Sequence, residues 1–174
     1  MSQIKLRAFT EPEYHRFFRN YEPDPRMTND PFTYSREQIS RSWRYNYGGF
    51  RPDYDHYGIF LDEEPVGAFQ LKRISPENHR CEFGIILQND RMKNRGIGTE
   101  AVRAGMEIAR RKHGVQTLIG DTMGRNLPMR RVFEKLGFRL AETVPDAFML
   151  PDGSSDCRMV WMIDLAPAET EEQP

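Results

Sequence analysis

The chain has 174 residues, with 25 basic and 26 acidic side chains and a formal net charge of −1. That balance excludes a global basic field for nucleic acid, and the length suits one domain with a proper core rather than two. No apolar stretch approaches a membrane span, and Met1-Ser-Gln-Ile-Lys-Leu-Arg7 lacks the apolar centre of a signal peptide, so a cytoplasmic protein with neither a membrane nor a nucleic-acid partner is expected.

Ile4, Leu6 and Ala8 alternate as in a first strand. Thr10 and Glu13 have the spacing of a capping box, and the helix behind them sets Tyr14, Phe17, Phe18 and Tyr21 on one face. Glu22 to Pro31 carries three prolines and reads as a loop. Ser35 and Gln38 open a second helix, which ends near Tyr47. The strands His56–Leu61 and Val66–Ile74 flank the turn at Asp62–Pro65, and a further turn at Ser75–Asn78 leads into the strand His79–Leu87. Cys81 and Cys157 fall in strands and read as buried thiols of a reducing compartment. A nucleophile built from Cys81 and His79 has no third orienting group, and no metal site is expected.

The segment Arg91-Met-Lys-Asn-Arg-Gly-Ile-Gly-Thr-Glu-Ala-Val102 follows the apolar run Phe83–Leu87 and opens an amphipathic helix. The first N–H groups of a helix lack intrahelical acceptors. Together with the helix dipole they make a site for an anion. Gly96 and Gly98 let the backbone approach a phosphate, and Lys93 and Arg95 add positive charge. The glycine spacing lacks both the P-loop pattern and the third glycine of the dinucleotide fingerprint. A pyrophosphate ligand held in another way is therefore expected.

The helix from this loop ends in Arg110–His113 and stops at Gly114, with Gly105 placed for a close backbone approach. A strand Val115–Gly120 follows. Asn126 then caps a helix with an inner face of Met129, Val132, Phe133 and Leu136, closed by Gly137. Phe138–Val144 and Cys157–Leu165 are the last two strands. Residues 1–165 form one mixed α/β domain, a largely antiparallel sheet with a right-handed parallel strand–helix–strand crossover from Phe83 to Gly120. Residues 166–174 read as an acidic, disordered tail.

These residues carry a resemblance. Lys93-Asn-Arg-Gly-Ile-Gly98 resembles the Gln/Arg-x-x-Gly-x-Gly/Ala cofactor motif of the GNAT family of N-acetyltransferases, with Lys in the first place. Asn126-Leu-Pro-Met-Arg-Arg-Val-Phe-Glu-Lys-Leu-Gly-Phe138 resembles its second block. The subgroup most resembled is that of ribosomal-protein and spermidine acetyltransferases. The resemblance implies a GNAT-type fold, acetyl-CoA as cosubstrate, and acetyl transfer to a primary amine on a small molecule or a peptide N-terminus; a homodimer stays open.

It further implies that Ile85, Ile86 and Leu87 pair with pantetheine amides as an added strand does, and that Arg95, Gly96, Ile97, Gly98 and Thr99 hold the pyrophosphate beside Lys93. Asn126 would face the pantetheine or cap its helix, and Arg130 would approach the adenosine end or lie in solvent. Histone-type members of the family carry a base glutamate fourteen positions before the first loop glycine, which falls on Glu82. Apolar neighbours such as Phe83 are expected to raise its pKa. Asp121 is the runner-up, as base or as binder of a cationic substrate, and a backbone N–H near Ile86 would meet the oxyanion. The family's acid tyrosine aligns with Phe133, which has no hydroxyl, and nothing singles out one of Tyr45, Tyr47, Tyr54 and Tyr57 to replace it. The other reading is therefore a catalytically silent acyl-CoA-binding module.

Overall fold

The computed structural model describes residues 3–28 and 30–167; most of the expected tail, 168–174, lies outside the described residues. The elements run β1 (Ile4–Arg7), α1 (Glu11–Arg19), α2 (Arg36–Tyr47), β2 (Asp55–Leu61), β3 (Glu64–Ser75), β4 (Arg80–Leu87), a 3-10 turn at Asp90–Met92, α3 (Ile97–His113), β5 (Thr117–Met123), α4 (Leu127–Leu136), β6 (Arg139–Met149) and β7 (Ser155–Asp164). Among the described residues one sheet of seven strands, ordered β1-β2-β3-β4-β5-β7-β6, is antiparallel except for β4 and β5. This is the expected mixed sheet with its single parallel crossover through α3.

Two apolar clusters sit on opposite faces. Ile97, Ala101, Val102 and Ala109 of α3 pack with Phe69, Phe83 and Phe133. Gly105 is required there by space, since a Cβ would lie 2.2 Å from Phe69 Cζ. On the other face α1 and α2 bury Phe9, Tyr14, Phe17 and Ile39 against Phe60 and Ala68. The capping box of α1 forms as its spacing predicts, with Glu13 N–H donating to Thr10 Oγ1 and Thr10 N–H to Glu13 Oε2.

Several strand ends differ from the sequence reading, three of them for a reason the structure shows. β5 continues to Met123 because β7 pairs it that far, Met123 facing Arg158. Asp121 is thus inside a strand. β6 runs past Pro145 to Met149 through a register shift between Val144 and Phe148, since an edge strand tolerates a proline at such an irregularity. β3 begins at Glu64 because Asp62 and Glu63, both at positive φ, make a tight hairpin.

His56 lies in the α1–α2 cluster, 6% exposed. The Phe9 N–H donates to the Tyr47 hydroxyl oxygen at 3.2 Å, leaving the Tyr47 proton for His56 Nδ1 at 2.8 Å. Burial first, and Arg51 second, push the imidazole down to about 4. The unfolded chain, with an ordinary value near 6.5, then binds the proton first on acidification. Stability contributed by neutral His56 is whole above pH 6.5 and is lost as pH falls toward 4, by about 3 kcal/mol from His56. An NMR titration of His56 checks this; a midpoint near 6.5 contradicts it.

Candidate active site

The site begins where the parallel pair comes apart. β4 and β5 are in register from Arg80↔Thr117 to Phe83↔Gly120 and no further, so among the described residues Gly84–Leu87 have no strand partner on that side. Gln88 N–H donates to Val66 O at 2.9 Å, and His79 O accepts from Thr117 N–H at 3.1 Å. Backbone groups alternate sides along a strand. The even residues of β4 therefore turn to β3 and the odd ones to β5. Ile85 and Leu87 are left with N–H and C=O groups facing the gap. Ile86 spends its backbone on β3, opposite Ala68, and its side chain packs on the α1–α2 cluster. The N–H groups near Ile86 that face the gap are therefore those of Ile85 and Leu87, and the N–H of Ile86 itself is spent on the sheet.

The mouth of the gap is the N-terminus of α3. Gly96 takes the N-cap position at φ 78°, and no side chain caps the helix. By contrast Thr10, Ser35 and Asn126 cap α1, α2 and α4. An uncapped helix end leaves its first N–H groups to water or to a ligand. Here Gly96, Ile97, Gly98 and Thr99 line a cavity of about 360 Å³ that runs to Ile85 and Leu87. A Cβ on Gly98 would meet only Val132 Cγ2, at 3.9 Å, and Gly98 does not have positive φ. Neither packing nor backbone conformation demands glycine there; what its bareness leaves open is the cavity.

The opposite wall is α4. Asn126 caps its helix, Oδ1 accepting from Met129 N–H at 3.2 Å, and the residue also lines the cavity. Arg130 does not line it; its Nη1 donates to Gly124 O at 3.1 Å, while Arg131 and Lys135, one turn apart, bring positive charge to the wall. Arg95 is exposed and reaches Met92 Sδ at 3.6 Å, outside the lining.

Lys93 lines the cavity but is not a free cation. It pairs with Asp24 and, at 2.7 Å, with Asp90. Burial opposes its charge, yet the bonds to Asp24 and Asp90 hold its pKa above the ordinary lysine value. Asp24 is held well below the carboxylate range, first by Arg26 at 2.8 Å and then by Lys93. This network fastens the α1–α2 loop onto the glycine loop. Glu22 N–H donating to Gln88 O at 2.8 Å fastens it to the end of β4. Sequence reading missed Asp24, because 69 residues separate it from Lys93 and no local pattern links them.

The fastened loop brings Met27 over a second cavity of about 280 Å³, which opens at the split between β4 and β5 and shares Ile85, Asn126 and Met129 with the first. Asp121 lines it, with Arg158 Nε at 4.0 Å. Lys72, unforeseen from sequence, lines it too. Glu82 does not. It faces Lys72 across the β3–β4 ladder and accepts from Arg73 Nη1 at 2.8 Å, an ion pair in place of the expected apolar setting.

Phe133 is fully buried, stacked on Trp161 at 5.3 Å, with its ring edge against Gly120 at the last β4–β5 pair. Phe133→Tyr is expected to lower unfolding free energy by about 1–3 kcal/mol, the cost of an unpartnered buried hydroxyl; unchanged denaturant midpoints would show that the hydroxyl reaches the gap. None of Tyr45, Tyr47, Tyr54 and Tyr57 lines either cavity. Cys81 is no nucleophile: it is 1% exposed, and burial pushes its thiol up to about 12.

A sheet opened at its parallel pair, with an uncapped helix end at the mouth, defines a fold built to take an extended ligand with an anionic end. The comparisons name the class. The chain belongs to the acetyltransferase (GNAT) domain family, whose model matches residues 3–139. It is 33% identical over 91 residues to a mycothiol acetyltransferase of Corynebacterium glutamicum, covering 52% of this chain and 30% of that protein, so it spans about a third of the length of the curated relatives it matches. Its fold is similar to that of a chimeric spermidine N-acetyltransferase from Vibrio cholerae (TM-score 0.80, 14% identity, 94% of this chain and 96% of that one). It is also similar to a ribosomal-protein alpha-N-acetyltransferase in complex with coenzyme A (TM-score 0.78, 19% identity, 93% and 94%).

Proposed function

We propose that this chain is an acetyl-CoA-dependent N-acetyltransferase that moves an acetyl group from the thioester to a primary amine by direct attack. The observation that carries the reading is the uncapped α3 N-terminus at Gly96–Thr99, opening on a cavity that leads to unpaired strand backbone at Ile85 and Leu87. The helix end fits a pyrophosphate. Arg131 and Lys135 fit further phosphate charge, and the free edge of β4 fits the amides of a pantetheine arm. The free thiols of Cys81 and Cys157 support a reducing, cytoplasmic setting.

The chemistry falls to residues at the split. An alkyl amine is mostly protonated at neutral pH and must lose a proton as its nitrogen attacks the thioester carbon. Asp121 lines the acceptor cavity and takes that proton directly; Glu82, tied to Arg73, acts only through water. Of the gap-facing N–H groups of Ile85 and Leu87, which lie about 7 Å apart along the strand, one receives the oxyanion and the other pairs with the pantetheine arm. The carbon–sulfur bond then breaks. Phe133 has no proton to give, so the thiolate leaves unprotonated and takes its proton from solvent.

The test is acetyl-CoA-dependent thiol release across a panel of amines, with the acetylated product read by mass spectrometry. Product formation is expected. Tight CoA binding with no acetyl transfer to any amine would favour the silent acyl-CoA-binding module.

A further inference from the structure

We infer that the acceptor is a small amine that also bears an anionic group, and that Lys72 is the residue that selects it. The inference rests on the acetyltransferase reading above. The second cavity holds two charged side chains, the Asp121 carboxylate and the Lys72 ammonium. Lys72 is half-buried, and among the described residues it has no ion-pair or hydrogen-bond partner, although Glu82 faces it across the ladder. Glu82 is instead engaged by Arg73 at 2.8 Å. Glycine at 84 leaves a methyl's space beside the ammonium: a Cβ there would be in ordinary contact, 3.6 Å from Lys72 Nζ and 3.4 Å from Gln70 Oε1. Asp121 is held only loosely, by Arg158 at 4.0 Å.

A half-buried, unpaired ammonium in a cavity wants an anion, because such a charge is stabilised chiefly by a charge-assisted partner. With the amine at Asp121, the complementary ligand carries a carboxylate or phosphate a few bonds from its nitrogen. A polyamine fits worse. It would set a second ammonium against Lys72 and find one carboxylate where it needs several. The cavity, about 280 Å³ and roofed by Met27 and Phe148, favours a free amino-acid-like molecule over a protein N-terminus as the source of this chemistry.

The experiment compares kcat/KM for thiol release with an α-amino acid, its methyl ester, a tripeptide starting with the same residue, and 1,4-diaminobutane, in the natural chain and in Lys72→Met and Lys72→Arg. The natural chain is expected to prefer the free acid to the ester and to the diamine by about tenfold or more, the scale of one charge-assisted contact. Lys72→Met should collapse that preference through the KM of the acid, and Lys72→Arg should keep most of it. A tripeptide used better than the free acid overturns the small-molecule source. Ester or diamine used as well as the acid, or a Lys72→Met variant that lowers acid and ester by the same factor, overturns the inference and leaves the acetyltransferase reading standing. Failure of every amine to raise thiol release above the amine-free background overturns both.

Discussion

Replacing Gly98 by valine is expected to weaken CoA binding about 10–100-fold while leaving the fold intact. The loss is that of one charge-assisted hydrogen bond, about 1.5–3 kcal/mol. Stability should survive because nothing in the protein opposes the substitution. The new Cβ meets only Val132, at 3.9 Å, the backbone is ordinary helix, and valine costs a helix no more than glycine does. The branched side chain would instead stand in the cavity, before the first N–H groups of α3. Gly96 makes a poorer probe, since its φ of 78° would strain any other residue whatever binds there. Calorimetric titration with CoA beside a thermal melt checks the prediction; full affinity in a folded Gly98→Val protein would remove the pyrophosphate from the helix end.

What was legible in the sequence was local. The glycine loop, the caps at Thr10, Ser35 and Asn126, and the stops at Gly114 and Gly137 depend on residues within a turn of one another, and all are present. The parallel pairing of β4 with β5 followed from the length of the crossover helix between them. What escaped was set by partners distant in the chain. β5 reaches Met123 because of β7. Lys93 is paired because a proline-rich loop brings Asp24 across the fold, and Lys72 enters the site because β3 lies beside the unpaired end of β4. Arg130 and Arg131 are neighbours on one helix, and only the packing of α4 against the cavity decides which of them lines it. Which β4 residues face the gap turned on parity alone: a shift of one residue moves a strand's backbone groups from one neighbour to the other, and the sequence of β4 does not say which.

The two carboxylates near the split differ in what surrounds them, and that difference predicts a large asymmetry. Asp121→Asn should lower kcat by about 10²–10⁴-fold, the usual consequence of losing a general base, with CoA affinity preserved because Asp121 lies outside the first cavity. Asparagine keeps the shape and the hydrogen-bonding oxygen, so packing around β5 should hold. Glu82→Gln removes an ion pair whose arginine is 78% exposed, worth about 0–1 kcal/mol, and so should change turnover by no more than about fivefold. The loss should sit in kcat for Asp121→Asn and be small in both kcat and KM for Glu82→Gln. The opposite outcome would route the proton through water to Glu82 and leave Asp121 with substrate binding alone, which KM would then report. Equal, modest losses in both variants would mean that neither carboxylate takes the proton, and that the amine sheds it to solvent before it enters the cavity.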